Sequence, residues 1–473
     1  MTTQSKSEFK PDEDFPLQIP LACPAVLSVS NDRSKRVNWI ATICLIPILL
    51  FALFICFVSY REAMAYRELN DKLEAIRQAD EPIDDASMAA YFEKSTHKEG
   101  TAAWSEALLL ARSANAISNG LPFVGDASLP RDFRPGVEWP EEPRVAEFLR
   151  EIRPLLKKID AADAFPKPVW TPIEFNGVST NLNAYQETRS LARILDLDAS
   201  HALFHKESDR AFRDIRSLQS VAKAFDVDAF LVAKLITVAI QHLHKDSINR
   251  SLSMDVWNDE QLAELMDQVR EPYDVAKAWK SSILGERAMA NTAVNDSISL
   301  AGVMGDYSNP LYRLPVLPSG KLALLRSYDV ALDMSSANTS EIVDRASVAE
   351  KKLMGLASTH YLVGLFSPAL AVYAEAFDRD EIFRRLTMTS LAVKRFQLKN
   401  NRFPKNLPEL TDVGLSERDW TTTNRQTFRY EVENENAYVW TYGTQDKKTI
   451  PTSRPILTPE ETSDFLWNVV SIR

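Results

Sequence analysis

"RVNWIATICLIPILLFALFICFVSYREAM", residues 36–64, decides how this chain is organised. The run is uncharged between its flanking arginines, and the 22 residues from Trp39 to Tyr60 are almost all apolar. A helix of that length rises about 33 Å, which matches a hydrocarbon core of about 30 Å. Trp39 and Tyr60 stand at its two ends, where interfacial aromatic residues occur. The stretch predicts a transmembrane helix over 38–60, with residues 39–60 in the lipid bilayer.

Two other interpretations of this stretch stay open. A cleaved signal peptide has a short basic start and an apolar stretch of about 7 to 15 residues, whereas this run is longer and follows a tail of 37 residues. Cleavage after Ala65 would release a secreted protein that begins at Tyr66, but Arg61 and Glu62 separate the small residues there from the run. A buried helix of a soluble domain is disfavoured, because nothing polar marks an outward face.

The charges around the run predict its orientation. Three basic residues precede it and three follow it closely: Arg33, Lys35 and Arg36, then Arg61, Arg67 and Lys72. The compact cluster before the first span favours a cytoplasmic N-terminus, and long domains are translocated largely regardless of charge. We therefore expect an inner-membrane protein with an extracytoplasmic body. Residues 1–37, with scattered prolines and mixed charge, predict a disordered cytoplasmic tail.

Composition excludes several classes of function. The formal net charge is −10, and residues 1–37 and 61–79 are each neutral, so the acidic excess lies in residues 80–473. An acidic body argues against nucleic-acid binding, which depends on cationic contacts to phosphate. The three cysteines, Cys23, Cys44 and Cys56, lie in the tail or the run, so the body has neither a disulfide nor a cysteine-ligated zinc site. No phosphate-binding glycine motif is present, so no nucleotide or other cofactor is expected.

The body is predicted to be mainly α. Residues 61–80 alternate charge signs and suit a helical stalk, residues 81–365 form a helical domain, and residues 366–473 form a long helix with a small cap. Apolar residues at three- and four-residue spacing over 182–298 predict antiparallel helices in a hairpin array or bundle. Residues 299–340 are expected to be loops.

Turn and capping patterns predict the C-terminal cap. "FRYEVENENAYVWTYG", residues 428–443, predicts a two-stranded hairpin that turns at Glu433–Asn436. A last helix is expected from Thr458, with Phe465, Leu466 and Val469 facing inward.

A second uncharged stretch runs from Leu353 to Ala374. It contains His360 and several hydroxyl, glycine and proline residues, which dilute its apolarity. Ser367-Pro368 favours an N-cap followed by proline at the first helical position, so we expect a buried junction between a loop and a helix. A second membrane span stays open as the alternative.

Two regions resemble uncharacterised, membrane-anchored bacterial proteins of planctomycete type. They are the helical stretch from Leu191 to Met289, which includes "ILGERAMA", and the segment "RRLTMTSLAVKRFQLKNNRFPKNLPEL" followed by "TFRYEVENENAYVWTYG". The second segment also resembles the C-terminal part of type II secretion pseudopilins, in which a helix leads to an Asn-or-Gly, aromatic, Pro turn, a Leu-x-x-Leu segment and a small sheet. The matching positions are Asn401, Arg402, Phe403, Pro404, Leu407 and Leu410.

The resemblance covers about half of the chain and is confined to its body. It departs at the N-terminus, because no prepilin cleavage stretch precedes Trp39. What it implies is a membrane-tethered helical body with a pseudopilin-like cap, placed beside proteins of the envelope or of a secretion apparatus.

Only one pair of residues has metal-ligand spacing. His201 and His205 lie one helical turn apart, and Glu207 or Asp209 would add an oxygen ligand. The glutamate of an H-E-x-x-H motif is missing, because Ala202 stands in its place, so two polar residues at a helix margin is the preferred interpretation.

Other polar groups favour structural roles. His242 and His244 point about 160° apart on a helix and cannot share a metal, so at least one is expected at the surface or in a cap. Glu286-Arg287 favours a structural ion pair, and Glu141-Glu142 an ordinary helix start. No nucleophile motif is present, and a non-enzymatic role is favoured. The leading hypothesis is an interaction or scaffold module of the cell envelope; the alternative is a membrane-tethered, metal-dependent hydrolase that uses His201 and His205.

Overall fold

The computed structural model describes residues 32–130, 132–170, 173–226, 230–296, 316–337, 340–442, 454 and 467–473, with side chains for all of these except 32–44, 442, 467 and 468. The helices are α1 (Asp32–Gln78), α2 (Asp85–Ser95), α3 (Thr101–Asn115), α4 (Glu142–Glu151), α5 (Arg153–Ala162), α6 (Asn183–Phe204), α7 (Ser208–Ala224), α8 (Leu231–Ser251), α9 (Asp259–Arg270), α10 (Val275–Asn295), α11 (Pro318–Leu332), α12 (Ile342–Ala357), α13 (Tyr361–Phe366) and α14 (Leu370–Asn400). The strands are β1 (Arg429–Glu433), β2 (Asn436–Tyr442) and β3 (Trp467–Ile472). The predicted fold class, mainly α with a small C-terminal α+β cap, is confirmed.

The chain divides into two compact units, residues 1–61 and residues 62–473. In the first unit, the described part of α1 exposes its large apolar side chains over 45–60: all except the half-buried Val58 are between 47% and 67% exposed. Pro47 lies within the helix. Among the described residues, α1 is the one helix that is long and apolar enough to cross a membrane.

In the second unit, residues 62–78 of α1 pack along α11. Three polar pairs, separated by 257 or 258 residues in sequence, join the two helices: Glu62–Ser319, Glu68–Arg326 and Lys72–Asp329. Leu69, Leu322 and Leu325 are buried between them. A constant separation means that the two helices run in the same direction with a fixed register.

The expectation of loops over 299–340 is wrong where the structure describes this region. Residues 316–317 lead into α11, which has proline at its first position, as is common at helix starts. Its buried residues follow a helical spacing that Pro318 and Gly320 obscured in the sequence. Residues 299–315, 338 and 339 lie outside the described part.

The helical array over 182–298 is present as α6 to α10. Helix α9 begins with a capping box, in which the Asn258 side chain accepts from Gln261 N–H at 2.8 Å while the Gln261 side chain accepts from Asn258 N–H. Residues 142–162, in the predicted helical domain, form two helices, α4 and α5, because Pro154 lies in the first turn of a new helix after Ile152.

Helix α14 lies at the centre of the second unit, in contact with α8, α9, α12 and the sheet. Its polar residues are buried together with its apolar ones. Glu381 accepts from Arg384 Nε at 2.7 Å and from Arg385 Nε at 2.7 Å, and Asp380 pairs with Lys245 of α8. Burial raises the pKa of Glu381, but the hydrogen bonds and charges of the two arginines outweigh it, so the pKa is lowered.

The cap is a three-stranded antiparallel sheet in the order β1-β2-β3. The hairpin is formed as predicted, with Asn434 and Glu435 at positive φ in its two-residue turn. The predicted last helix is wrong over 467–472, because this segment, which contains the β-branched Val469, Val470 and Ile472, pairs with β2, and Val470 and Ile472 are buried in the sheet. The start of that predicted helix lies outside the described residues.

The uncharged stretch over 353–374 is broken into three segments. It contains the end of α12, all of α13 and the start of α14, so the preferred junction is observed and no continuous helix spans it. The predicted N-cap is displaced, because α14 begins at Leu370, two residues after Pro368, with no side-chain cap.

Glu286 and Arg287 of α10 both serve the packing of helices. The Glu286 carboxylate accepts from Leu231 N–H at 3.1 Å at the start of α8, and burial raises its pKa to about 7. Arg287 donates to Glu81 at 3.0 Å rather than to Glu286. The structural role predicted for the pair is therefore observed, but with separate partners.

We predict that Glu286→Gln stabilises the protein above pH 7. A folded-state pKa above the unfolded value means that wild-type stability falls as pH rises from about 4.5 to 7, because the buried carboxyl ionises at a cost. Glutamine stays neutral and still accepts from Leu231 N–H, so we expect a gain on the order of 2 kcal/mol at pH 8 and little difference at pH 4.5. Urea unfolding at both pH values, with exposed Glu264→Gln as control, measures this. Parallel pH dependences of wild type and Glu286→Gln would contradict it.

Candidate metal centre

The site brings together the last turn of α6 and the first turn of α4. His201 and His205 lie on one face of α6, and Glu142 follows the α4 N-cap position. Trp139 packs edge-on against Phe204 at 5.3 Å and also faces His201, so aromatic contacts hold the start of α4 against the end of α6. This packing delivers the carboxylate of Glu142 to the two imidazoles.

The three side chains point at one position. Glu142 Oε1 lies 3.2 Å from His201 Nε2 and 3.0 Å from His205 Nε2, and all three ligand atoms lie within 4.8 Å of one another. Zinc binds nitrogen and oxygen ligands at about 2.0 to 2.2 Å, which places tetrahedral ligand atoms about 3.3 Å apart. The distances from Glu142 Oε1 to the two imidazole nitrogens are therefore close to those between two ligands of one zinc ion.

The protonation states also suit a cation. Burial raises the pKa of Glu142, but hydrogen bonds from His205 and His201 outweigh it, so its pKa is lowered. Burial lowers the pKa of His201, and Arg210 lowers it further. The cluster therefore combines an ionised carboxylate with a neutral imidazole, the forms that ligate metals.

Arg210 opposes metal binding at His201. Its Nη1 lies 3.4 Å from His201 Nδ1, and its other contacts are Glu207 at 2.8 Å and Asp198. Arginine can only donate, so this contact favours a proton on Nε2, which then donates to Glu142. Metal-bound histidines normally donate from the second nitrogen to an acceptor. A metal ion on Nε2 would require Arg210 to move away from Nδ1.

A cleft of about 520 Å³ opens beside His201. Its wall includes Glu207, Arg210, Asp198 and Asp214. Burial and the neighbouring Asp198 raise the pKa of Asp214 well above its usual range. The cleft therefore places a protonatable acid near the same arginine that contacts His201.

The oxygen ligand predicted from the sequence is not the one that the structure provides. Glu207 bonds Arg210, and Asp209 accepts from Gln261 at 3.0 Å, because the chain reverses at Lys206 (φ 58°) before α7. Glu142 lies 59 residues before His201, and its sequence context indicates an ordinary helix start. Its sequence gave no signal, because only the packing of α4 on α6 joins the two.

The other two histidines of the helical array lie away from this cluster. His242 stacks on Phe383 at 4.2 Å, and His244 is 3% exposed. Burial lowers the pKa of His244 to about 3. The expectation was that at least one of them lies at the surface or in a cap; instead His242 is half-buried against Phe383 of α14, and His244 is buried in the middle of α8.

The fold and the cluster together define a mainly helical protein with a two-histidine, one-carboxylate site. Comparison of the chain with protein-family models, curated proteins and solved structures found no match. The chemistry of the site is therefore argued from its geometry.

We predict that Arg210→Gln raises the pKa of His201. The substitution removes a positive charge beside Nδ1, so the imidazolium form becomes less costly. Histidine side-chain NMR titration of the full chain in detergent, with a chelator present, measures the midpoint. Arg270→Gln, which removes an exposed arginine bound to Asp267, is the matched control. A midpoint in Arg210→Gln that is equal to or lower than that of the wild type would contradict the prediction.

Proposed function

We propose that this protein is a single-pass membrane protein whose helical body is an extracytoplasmic interaction module of the cell envelope. The observation that carries this proposal is the exposed apolar surface of α1 over 45–60. Each large side chain there gains about 1.5 to 3 kcal/mol on leaving water, so a bilayer is the environment that suits the segment. The basic cluster before the run supports a cytoplasmic N-terminus in the inner membrane.

The C-terminal cap supports a partner among envelope or secretion-apparatus proteins. Helix α14 ends at Asn400, its C-cap residue Asn401 has a left-handed conformation (φ 52°), and Tyr430 of β1 donates to Pro404 O at 2.8 Å. A long helix, a turn with this proline and an antiparallel sheet packed on the helix agree with the pseudopilin-like pattern of the sequence. The bilayer, through residues 39–60, is the other proposed partner.

We predict that two lysines in the middle of the run abolish membrane retention. Lysine near the centre of a membrane helix costs about 2.5 to 3.5 kcal/mol on insertion, so Leu50→Lys with Phe54→Lys is expected to release the protein from carbonate-washed membranes. The control is Leu109→Lys with Val432→Lys, which changes exposed apolar residues of the body.

The orientation is tested in the wild type, where we expect protease to digest a C-terminal epitope in intact spheroplasts. Release of the wild type by carbonate would contradict the anchor, and a protected epitope would contradict the orientation.

The cluster of Glu142, His201 and His205 favours a second function, binding of a divalent transition metal. The distances of 3.0 and 3.2 Å from one carboxylate oxygen to two imidazole nitrogens carry this proposal. Three protein ligands leave a coordination position for water, and a metal lowers the pKa of bound water so that it can act as a nucleophile. A membrane-tethered hydrolase is the reaction class that such a site would allow.

We predict that the full chain binds one Co²⁺ or Zn²⁺ ion per protein and that His201→Ala or Glu142→Gln removes it. Affinity is expected to fall below about pH 6, because protons compete for the imidazoles. Co²⁺ absorption and metal analysis after dialysis measure both effects. His97→Ala is the matched control, because His97 lies 3.9 Å from Glu99. No stoichiometric metal in the wild type, or equal metal in both cluster variants, would make the cluster a purely hydrogen-bonded one.

A further inference from the structure

One end of the helical body lies next to the end of the apolar run. Glu62 follows Tyr60 by two residues, so the chain places it within about 8 Å of the end of the run whatever direction the helix takes. Glu62 accepts from Ser319 N–H at 3.0 Å and from Ser319 Oγ at 2.7 Å. These two bonds hold the first turn of α11 at the same level as Glu62.

The register between α1 and α11 shows which residues lie closest to that level. Because the two helices run in the same direction, α11 leads away from Glu62, and Lys72 reaches Asp329 further along at 2.6 Å. Within α11, the residues at its start are therefore the ones that lie beside Glu62. Leu317, which immediately precedes the helix, therefore lies close to Glu62, the second residue after the run.

Helix α13 begins beside the same turn. A β-carbon added to Gly320 would lie 3.5 Å from Leu362 Cδ1, and one added to Gly364 would lie 3.5 Å from Ala357 Cβ. The hydroxyl of Tyr328, two turns along α11, donates to Phe366 O at 2.9 Å. Helix α13 thus follows α11 away from Glu62, and the turn between α12 and α13 lies at its start.

The exposed surface of this end includes three large apolar side chains together with the small polar residues Ser358 and Thr359. Leu317 is 56% exposed, Met354 66% and Tyr361 60%, whereas the neighbouring Leu362 is fully buried. No charged residue occurs from Leu353 to Ala374, and the exposed residues that precede this stretch are Lys351 and Lys352. On a body that carries the whole acidic excess, a stretch without charged residues that follows two exposed lysines suits a lipid surface rather than water.

We propose that this end of the body, marked by Leu317, Met354 and Tyr361, rests in the interfacial layer of the bilayer that α1 crosses. The inference rests on the proposed membrane anchor and adds a second contact with the same lipid. Tyrosine is well suited to this layer, because its ring is apolar and its hydroxyl reaches water. The contact also gives a reason for an uncharged stretch at 353–374 that is not a membrane span.

Spin-label accessibility tests the proposal. Single cysteines at Leu317, Tyr361, Leu50 and Val432 are introduced into the full chain after Cys23, Cys44 and Cys56 are replaced by serine or alanine. The labelled proteins are reconstituted into vesicles of phosphatidylcholine and phosphatidylglycerol. Collision with oxygen, which partitions into lipid, is compared with collision with a nickel chelate in water. Val432, 47% exposed on β1 of the cap, is the matched surface control, and Leu50 reports the span.

Three outcomes are distinguishable. We expect the ratio of oxygen to nickel accessibility at Leu317 and Tyr361 to be several-fold higher than at Val432, in the direction of the ratio at Leu50. A lipid-like ratio at Leu50 with water-like ratios at Leu317 and Tyr361 would overturn the inference and leave the anchor in place. A water-like ratio at Leu50 would overturn the anchor and the inference with it.

Discussion

Burial of charged side chains along α14 is the constraint on which the second unit depends. A buried charge is tolerated only when partners satisfy it, and α14 carries Glu381, Arg384 and Arg385 within two turns. Glu381 uses both oxygens on the two arginines. The remaining guanidinium N–H groups reach backbone carbonyls at the end of α9 and in the segment before β1: Val269 and Arg270 for Arg384, Thr421 and Thr422 for Arg385. Helix α9 and the cap are therefore positioned by the same carboxylate.

The contact between α1 and α11 is stabilised mainly by buried apolar side chains, unlike the buried ion pairs of α14. Its polar pairs are partly exposed, with Glu68 and Arg326 each 55% exposed, and such pairs contribute about 0 to 1 kcal/mol. The buried Leu69 and Leu325 supply more, because each removes apolar surface from water. The polar pairs instead select the register, since a shift by one residue would separate all of them. This fixed register places each polar position on α11 beside a definite residue of the segment 62–78.

The sequence predicted those parts of the fold that local patterns determine. The apolar run, the helices of the array and the turn between β1 and β2 are all specified by residues within a few positions of one another. Prediction from the sequence failed where contacts between residues far apart in the chain determine the structure. A strand at 467–472 exists because β2 offers it a partner, and α11 starts beside Glu62, 257 residues away. Glu142 was missed for the same reason, because a carboxylate at a helix start has no local feature that marks it as a partner of two histidines.

The cluster at Glu142 is a competition between protons and a metal ion for the same atoms. Two imidazole N–H groups that donate to one oxygen already satisfy the carboxylate, so a metal ion has to displace both protons. Arg210 favours the protonated form of His201 Nε2 over metal binding, because it donates to Nδ1. Ion pairs with Asp198, which is 3% exposed, and with Glu207 hold Arg210 in this position. Metal affinity is therefore set less by the three ligands than by how firmly these two carboxylates hold Arg210. The metal affinity of such a site therefore depends on Asp198 and Glu207, which touch no ligand atom, as well as on the three ligands themselves.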